Sequence, residues 1–235
     1  MGDSDTSLDT VPKILERNVR KFGDSPAYRE KEYGIWQTWT WSQANDEIMN
    51  LSKGLIDLGV KEGDHVAVIG RNRPYLYWSL VAAQHIGAVP VPLYQDAVAE
   101  EMEYILTHCS AKFAIVGDQE QVDKINEIKQ KVKELKKIVY VDPKGLRKYD
   151  KAQLHFFSDI CESGKADSGK LKAELDRRVA RISGDSTSVL LYTSGTTGKS
   201  KGVVQTHSSI IGAAMSANEF DGWTENESLV CYLPM

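Results

Sequence analysis

The sequence predicts an α/β protein of mostly parallel βαβ sheets with flanking helices. Short apolar runs alternate with helix-length patterns, as at His65–Ile69, Lys112–Val116 and Ile138–Val141. Runs of this kind suit strands buried on both faces, which is the parallel-sheet case. Between them apolar residues recur at spacings of three and four, and glycines close the patterns at Gly59 and Gly87. The 235 residues allow one large domain or two small ones, and 41% hydrophobic residues suffice for a core of that size.

Taken in order, residues 1–10 are expected to be disordered, and residues 11–235 to form the folded part. A helix over Val11–Phe22 stops at Gly23. Two extended pieces, Ala27–Arg29 and Ile35–Thr40, flank a turn at Glu32-Tyr33-Gly34. Trp36, Trp39 and Trp41 are expected to pack against a neighbouring layer. Thr40 and Gln43 fit a capping box, and Ala44, Ile48, Leu51, Leu55 and Leu58 then mark one helical face before Gly59. Asn72 and Pro74 open a further helix, Tyr75–Ile86, which Gly87 ends. Val89–Val91 is extended and Ala99–Cys109 helical. Across Gln119–Lys137, Val122, Ile125, Ile128, Val132 and Leu135 form one apolar stripe, with Lys124, Lys129, Lys131, Lys133 and Lys136 off it. That pattern reads as a surface helix with a solvated face rather than a patch for an acidic partner or lipid headgroups. Residues 142–183 are the least regular, with a helix at Leu171–Ile182 and a subdomain boundary placed somewhere within.

A net charge of −4 gives no electrostatic reason to expect nucleic acid or an anionic membrane as main partner. Cys109, Cys161 and Cys231 are odd in number and widely spaced, which suits a reduced, intracellular protein. His65, His85, His108, His155 and His207 form no spaced metal cluster, so no metal-binding residue is assigned. No apolar run approaches the ~18–20 residues of a transmembrane helix. The acidic MGDSDTSLDT terminus is no secretory signal. Gly2 and Thr6 meet a loose myristoylation pattern, but Asp3 and Asp5 would oppose an anionic surface. A cytoplasmic protein is expected, with peripheral membrane contact left open.

The chemistry is concentrated at Tyr192–Val203. The apolar run Val189-Leu190-Leu191-Tyr192 leads into Thr193-Ser194-Gly195-Thr196-Thr197-Gly198-Lys199-Ser200-Lys201-Gly202, and a second run, Val203-Val204, precedes a helix from about Ser208. Glycines let backbone N–H groups converge on an anion, hydroxyls donate further hydrogen bonds, and lysine offsets phosphate charge. Such a loop between two buried strands is suited to hold the phosphates of ATP. Gly198-Lys199-Ser200 matches the end of a Walker A loop. However, Thr193 stands where that motif needs glycine, and a strand follows where it needs a helix.

The string YTSGTTGKSKGVVQTH resembles the signature of the AMP-forming adenylating enzymes: acyl-CoA synthetases, luciferases and peptide-synthetase adenylation domains. The stretches EYGIWQTWTWSQ, GDHVAVIGRNRPYLYWSLVAAQHIGAVPVPLYQDAVAEEMEYIL and FAIVGDQEQVDKI are similar to the N-terminal part of bacterial long-chain fatty-acyl-CoA synthetases. The likeness covers about residues 8–235. It departs from the usual signature at Ser200, where the family has proline.

This resemblance implies the fold of the N-terminal portion of an adenylating-enzyme large domain, incomplete at its C-terminus. It implies that Thr193, Ser194, Gly195, Thr196, Thr197, Gly198, Lys201 and Gly202 grip the ATP phosphates, with Lys199 at a variable position. His207, after the second strand, is expected to be a structural or surface residue rather than a general base. A fatty acid or other carboxylic acid would react with ATP to give an acyl-adenylate and pyrophosphate, then with coenzyme A to give acyl-CoA and AMP. The catalytic lysine, the Mg²⁺ ligand and a small C-terminal domain are expected beyond Met235, since Leu229–Met235 reads as an interrupted apolar strand. The parent would be a long-chain fatty acid–CoA ligase of lipid metabolism. The alternatives are a ligase for an aryl or amino acid, and a nucleotide-binding fragment without turnover.

Overall fold

The computed structural model describes residues 8–193 and 200–231. Its first helix, α1 (Val11–Phe22), starts at Thr10, whose side chain accepts a hydrogen bond from the Lys13 N–H. Of the stretch 1–10, residues 1–7, with Gly2 and Thr6, lie outside the described residues. Thr10 is buried, and Asp9 accepts from the Gly184 N–H. Strands β1 (Pro26–Glu32) and β2 (Ile35–Thr40) form an antiparallel pair. Trp39 meets Trp78 edge-on at 5.5 Å, but Trp36 is 63% exposed. The packing expected of all three tryptophans therefore fails at Trp36, which alternation turns to solvent.

Helix α2 (Trp41–Asp57) begins with the capping box formed as anticipated. Thr40 Oγ1 accepts from the Gln43 N–H, and Gln43 Oε1 accepts from the Thr40 N–H. Its stripe Ala44, Ile48, Leu51 and Leu55 is fully buried. Replacing Thr40 by alanine is expected to cost about 1 kcal/mol, read as a lower urea midpoint at unchanged slope.

Five parallel strands follow: β3 (His65–Ile69), β4 (Val89–Leu93), β5 (Phe113–Val116), β6 (Lys137–Tyr140) and β7 (Leu154–Phe156), in the order β4-β3-β5-β6-β7. Helices α3 (Pro74–His85), α4 (Ala99–His108) and α5 (Gln119–Ile128) are the crossovers. Two cores lie on the two faces of this sheet. On one, Val66, Phe113, Ile115 and Val139 pack with α2, α3 and two later helices, α6 (Phe157–Lys165) and α7 (Lys170–Val179). On the other, Ala67, Ile69, Ala114 and Val116 pack with α4 and α5. Arg178 is buried at the first, donating to the carbonyls of Val60 and Ile86 and pairing with Glu174.

Four local expectations change. The charged segment is helical only to Ile128, and Val132 is buried in the turns beyond it. Lys124 does not extend into solvent; it folds back to the Gln95 carbonyl and Glu120. Within 142–183, β7 and α6 were not anticipated, and both belong to the five-stranded layer. The expected strand at Leu229–Met235 is absent from its described part, residues 229–231.

The final described elements are β8 (Thr187–Thr193), β9 (Lys201–Thr206) and α8 (His207–Asp221). The two strands pair antiparallel as a separate sheet, in contrast to the parallel arrangement of the main layer. β8 lies beside β4, where Gln84 Nε2 donates to both the carbonyl and the hydroxyl of Ser188.

Candidate functional site

The order of the parallel sheet has its reversal between β3 and β5, the place where open α/β sheets usually take ligands. Here that crevice holds the Tyr75 side chain. A Cβ on Gly117 would come within 2.5 Å of Tyr75 Oη, and one on Gly70 would collide with the same hydroxyl. The glycine- and hydroxyl-rich run lies elsewhere, in the connection of the β8–β9 hairpin.

Of the expected phosphate-gripping residues, Thr193, Lys201 and Gly202 are described. Ser194, Gly195, Thr196, Thr197 and Gly198, with Lys199, lie outside the described residues. Thr193 faces Lys201 and Tyr192 faces Gly202 across the ladder. Directly opposed residues share a face, with Cβ atoms about 5 Å apart. The Thr193 hydroxyl and the Lys201 ammonium thus leave from one face of the hairpin mouth, and both residues are exposed. The chain enters six residues of strand before α8 begins, which is not the loop-to-helix passage of a Walker A motif.

The opposite face of the stem is held by α4. Tyr104 Oη donates to the Ser200 carbonyl at 3.0 Å, and His108 Nδ1 lies 2.6 Å from Tyr192 Oη. The Tyr104 and His108 rings stack at 5.6 Å, and Tyr192 meets His108 edge-on at 5.7 Å. Burial pushes the Tyr192 hydroxyl up to about 12, so it keeps its proton at neutral pH. A Cβ on Gly202 would stand 3.2 Å from Leu190 Cδ1 and 3.4 Å from Tyr192 Cζ, so glycine leaves the space these side chains use. Sequence reasoning missed Tyr104 and His108. Their i,i+4 spacing was visible, but not the strand they face.

Of the two apolar runs expected to be buried, only Val189 and Leu190 are. Leu191, Val203 and Val204 are exposed, Val204 by 60%. Beyond β9, Thr206 caps α8 by accepting from the Ser209 N–H. His207 is buried, and its Nδ1 accepts from the Val11 N–H at 3.3 Å. Burial lowers its pKa to about 4, so it is a neutral residue joining α8 to α1. Among the described residues, no group of three or more His, Cys, Asp or Glu could hold a metal ion. Among them, no helix is long and apolar enough to cross a membrane.

Residues 15–235 match the family model described as AMP-binding enzyme. The long-chain-fatty-acid–CoA ligase ACSBG2 of Xenopus laevis is 28% identical over 96% of this chain and 30% of its own length. The long-chain-fatty-acid–CoA ligase FadD15 of Mycobacterium tuberculosis is 26% identical over 97% of this chain and 36% of its own. The chain thus spans about a third of the curated relatives it matches. Among solved structures, a putative long-chain-fatty-acid CoA ligase from Rhodopseudomonas palustris shares the fold with a TM-score of 0.76, at 19% identity, covering 96% of this chain and 51% of that one. The N-terminal domain of FACL13 from Mycobacterium tuberculosis, solved with an inhibitor, has a TM-score of 0.69 at 26% identity, over 89% of this chain and 47% of its own. An anthranilate CoA ligase, AuaEII, solved with anthranoyl-AMP, has a TM-score of 0.70 at 24% identity, over 85% and 35%.

Proposed function

We propose, from the premise that this chain belongs to the AMP-binding enzyme family, that it supplies the phosphate-binding part of an ATP-dependent, AMP-forming fatty-acid–CoA ligase. One observation carries the reading: Thr193 and Lys201 stand opposed, on one exposed face, at the two ends of the glycine- and hydroxyl-rich loop. A hydroxyl donor and a compact cation so placed suit the terminal phosphates of ATP.

In the proposed reaction a carboxylate attacks the α-phosphate, pyrophosphate leaves, and coenzyme A then takes the acyl group, releasing AMP. The work of this chain is positioning and charge stabilisation. Lys201 offsets charge gathering on the departing pyrophosphate, and Thr193 orients it. Ser194, Gly195, Thr196, Thr197, Gly198 and Gly202 belong to the same proposed grip. When bound, Mg²⁺ would supply further neutralisation of the phosphate oxygens.

The fatty-acid assignment rests on the curated relatives, which are long-chain-fatty-acid ligases. The exposed apolar side chains Val204, Met215, Phe220 and Val230 support a hairpin and α8 that pack against further polypeptide in a longer protein. A cytoplasmic location belongs to the same proposal. Acid-dependent ATP–pyrophosphate exchange tests it. The full-length protein should exchange with palmitate, whereas residues 1–235 alone should bind ATP weakly, as read by calorimetry. Exchange with benzoate or an amino acid but not palmitate would replace the acid class. Exchange with no carboxylic acid would leave the second reading, a nucleotide-binding unit without turnover.

A further inference from the structure

We infer that Tyr104, His108 and Tyr192 form a clamp that ties both ends of the phosphate loop to α4, making Tyr104 and His108 positioning residues for the polyphosphate. The ligand of that loop rests on the function proposed above. The clamp itself rests on geometry.

The two ends of the loop are held separately. Tyr104 takes the strand that leaves it, through the Ser200 carbonyl, and His108 takes the strand that enters it, through Tyr192. The spacing explains why one helix can reach both. Residues four apart on a helix are about 6 Å apart along its axis. Paired antiparallel strands lie about 5 Å apart. One turn of α4 therefore presents one ring to each strand. Stacking of the Tyr104 and His108 rings keeps the two in step.

The platform under the clamp is rigid. Met102, Ile105 and Leu106 of α4 are buried in the same core that receives Leu190 of β8. Lys131 pairs with Glu103 at 2.8 Å and adds a tie to the turn after α5. Alternation along β8 then places Tyr192 on the α4 side and Thr193 on the other. Gly202 gives the Tyr192 ring its room across the ladder. Holding the stem fixes the positions of Thr193 and Lys201 before phosphate binds, and such pre-organisation raises affinity without a direct contact. Ring packing alone would stabilise the whole chain and protect the stem no more than β3 or β5.

Two variants separate these effects in residues 1–235. Tyr104→Phe removes the hydroxyl and keeps the stack, and His108→Phe keeps a stacked ring and removes the ring nitrogen. In each, amide exchange at Leu191–Thr193 and Lys201–Val203 should quicken about two- to tenfold, the range for one lost hydrogen bond. Exchange in β3 and β5 should stay unchanged. The dissociation constant for inorganic triphosphate, followed by NMR titration, should rise by a similar factor. Unchanged stem exchange, an increase spread equally over β3 and β5, or unaltered triphosphate affinity would each overturn the inference. Absence of triphosphate binding by the unsubstituted chain would instead sink the ATP-site reading, while the exchange comparison would still decide the clamp.

Discussion

Replacing Gly54 or Gly164 by alanine should destabilise the chain by about 3 kcal/mol each, the upper part of the usual range for overpacking. The two glycines sit where α2 and α6 cross with their backbones in contact. A Cβ on Gly54 would overlap the Ile160 carbonyl oxygen and approach Ile160 Cγ2 to 2.7 Å. A Cβ on Gly164 would overlap the Asn50 carbonyl oxygen and lie 2.7 Å from the Gly54 nitrogen. Backbone atoms cannot rotate away as a side chain can, so the helices would have to separate. Separation would open the core containing Ile48, Leu51, Leu55 and Ile160. Gly212 in α8 is the control, because a Cβ there meets nothing within 4 Å. Its alanine variant should gain about 0.5–1 kcal/mol from helix propensity. Urea unfolding of the three variants checks the contrast. A Gly54→Ala protein as stable as the parent would show that the crossing is looser than described.

Acid should weaken the fold between about pH 6.5 and pH 4, through His207. Its Nδ1 accepts the Val11 N–H and so must be unprotonated, and burial holds its pKa at about 4. The unfolded chain takes up the proton near the ordinary value of about 6.5. Stability is therefore complete above that value and falls as pH drops through the window, by about 2 kcal/mol from pH 7 to 5 and about 3 by pH 4. Asp9 opposes this loss by favouring the charged ring. His85, buried and also lowered by desolvation, adds to the loss and repels a charged His207. In a His207→Gln variant, which can retain an acceptor, the profile between pH 7 and 5 should flatten. A variant whose urea midpoints run parallel to those of the parent would place the acid sensitivity elsewhere.

The legible parts of the fold were those with a local cause. The end of α1 came from Gly23, and the start of α2 from Thr40 and Gln43 alone. β3 was read residue for residue because five apolar-rich positions stood between turn signals. Failures followed the same logic. Gly164 resembles a turn residue in isolation, so α6 was hidden, although that glycine is the close-packing point of the helix. β7 has three residues, too few for a period to appear. Val132 and Leu135 kept the helical spacing of α5 but lie beyond its end, Val132 buried and Leu135 half-buried, because burial needs only a side chain pointing inward.

At the site, the loop's chemistry was wholly local. Glycines, hydroxyls and lysines concentrated between two apolar runs are what suggested the proposed phosphate cradle, by composition and order. Those residues determined the family likeness and the proposed ligand. Only the tertiary structure decided what packs against the hairpin stem. Tyr104 and His108 stand 96 and 84 residues from their partners Ser200 and Tyr192. Contacts over such distances depend on how the sheet and its helices stack, which no short window of sequence encodes. The same holds for His207, whose pKa is set by its seat against α1, the far end of the chain.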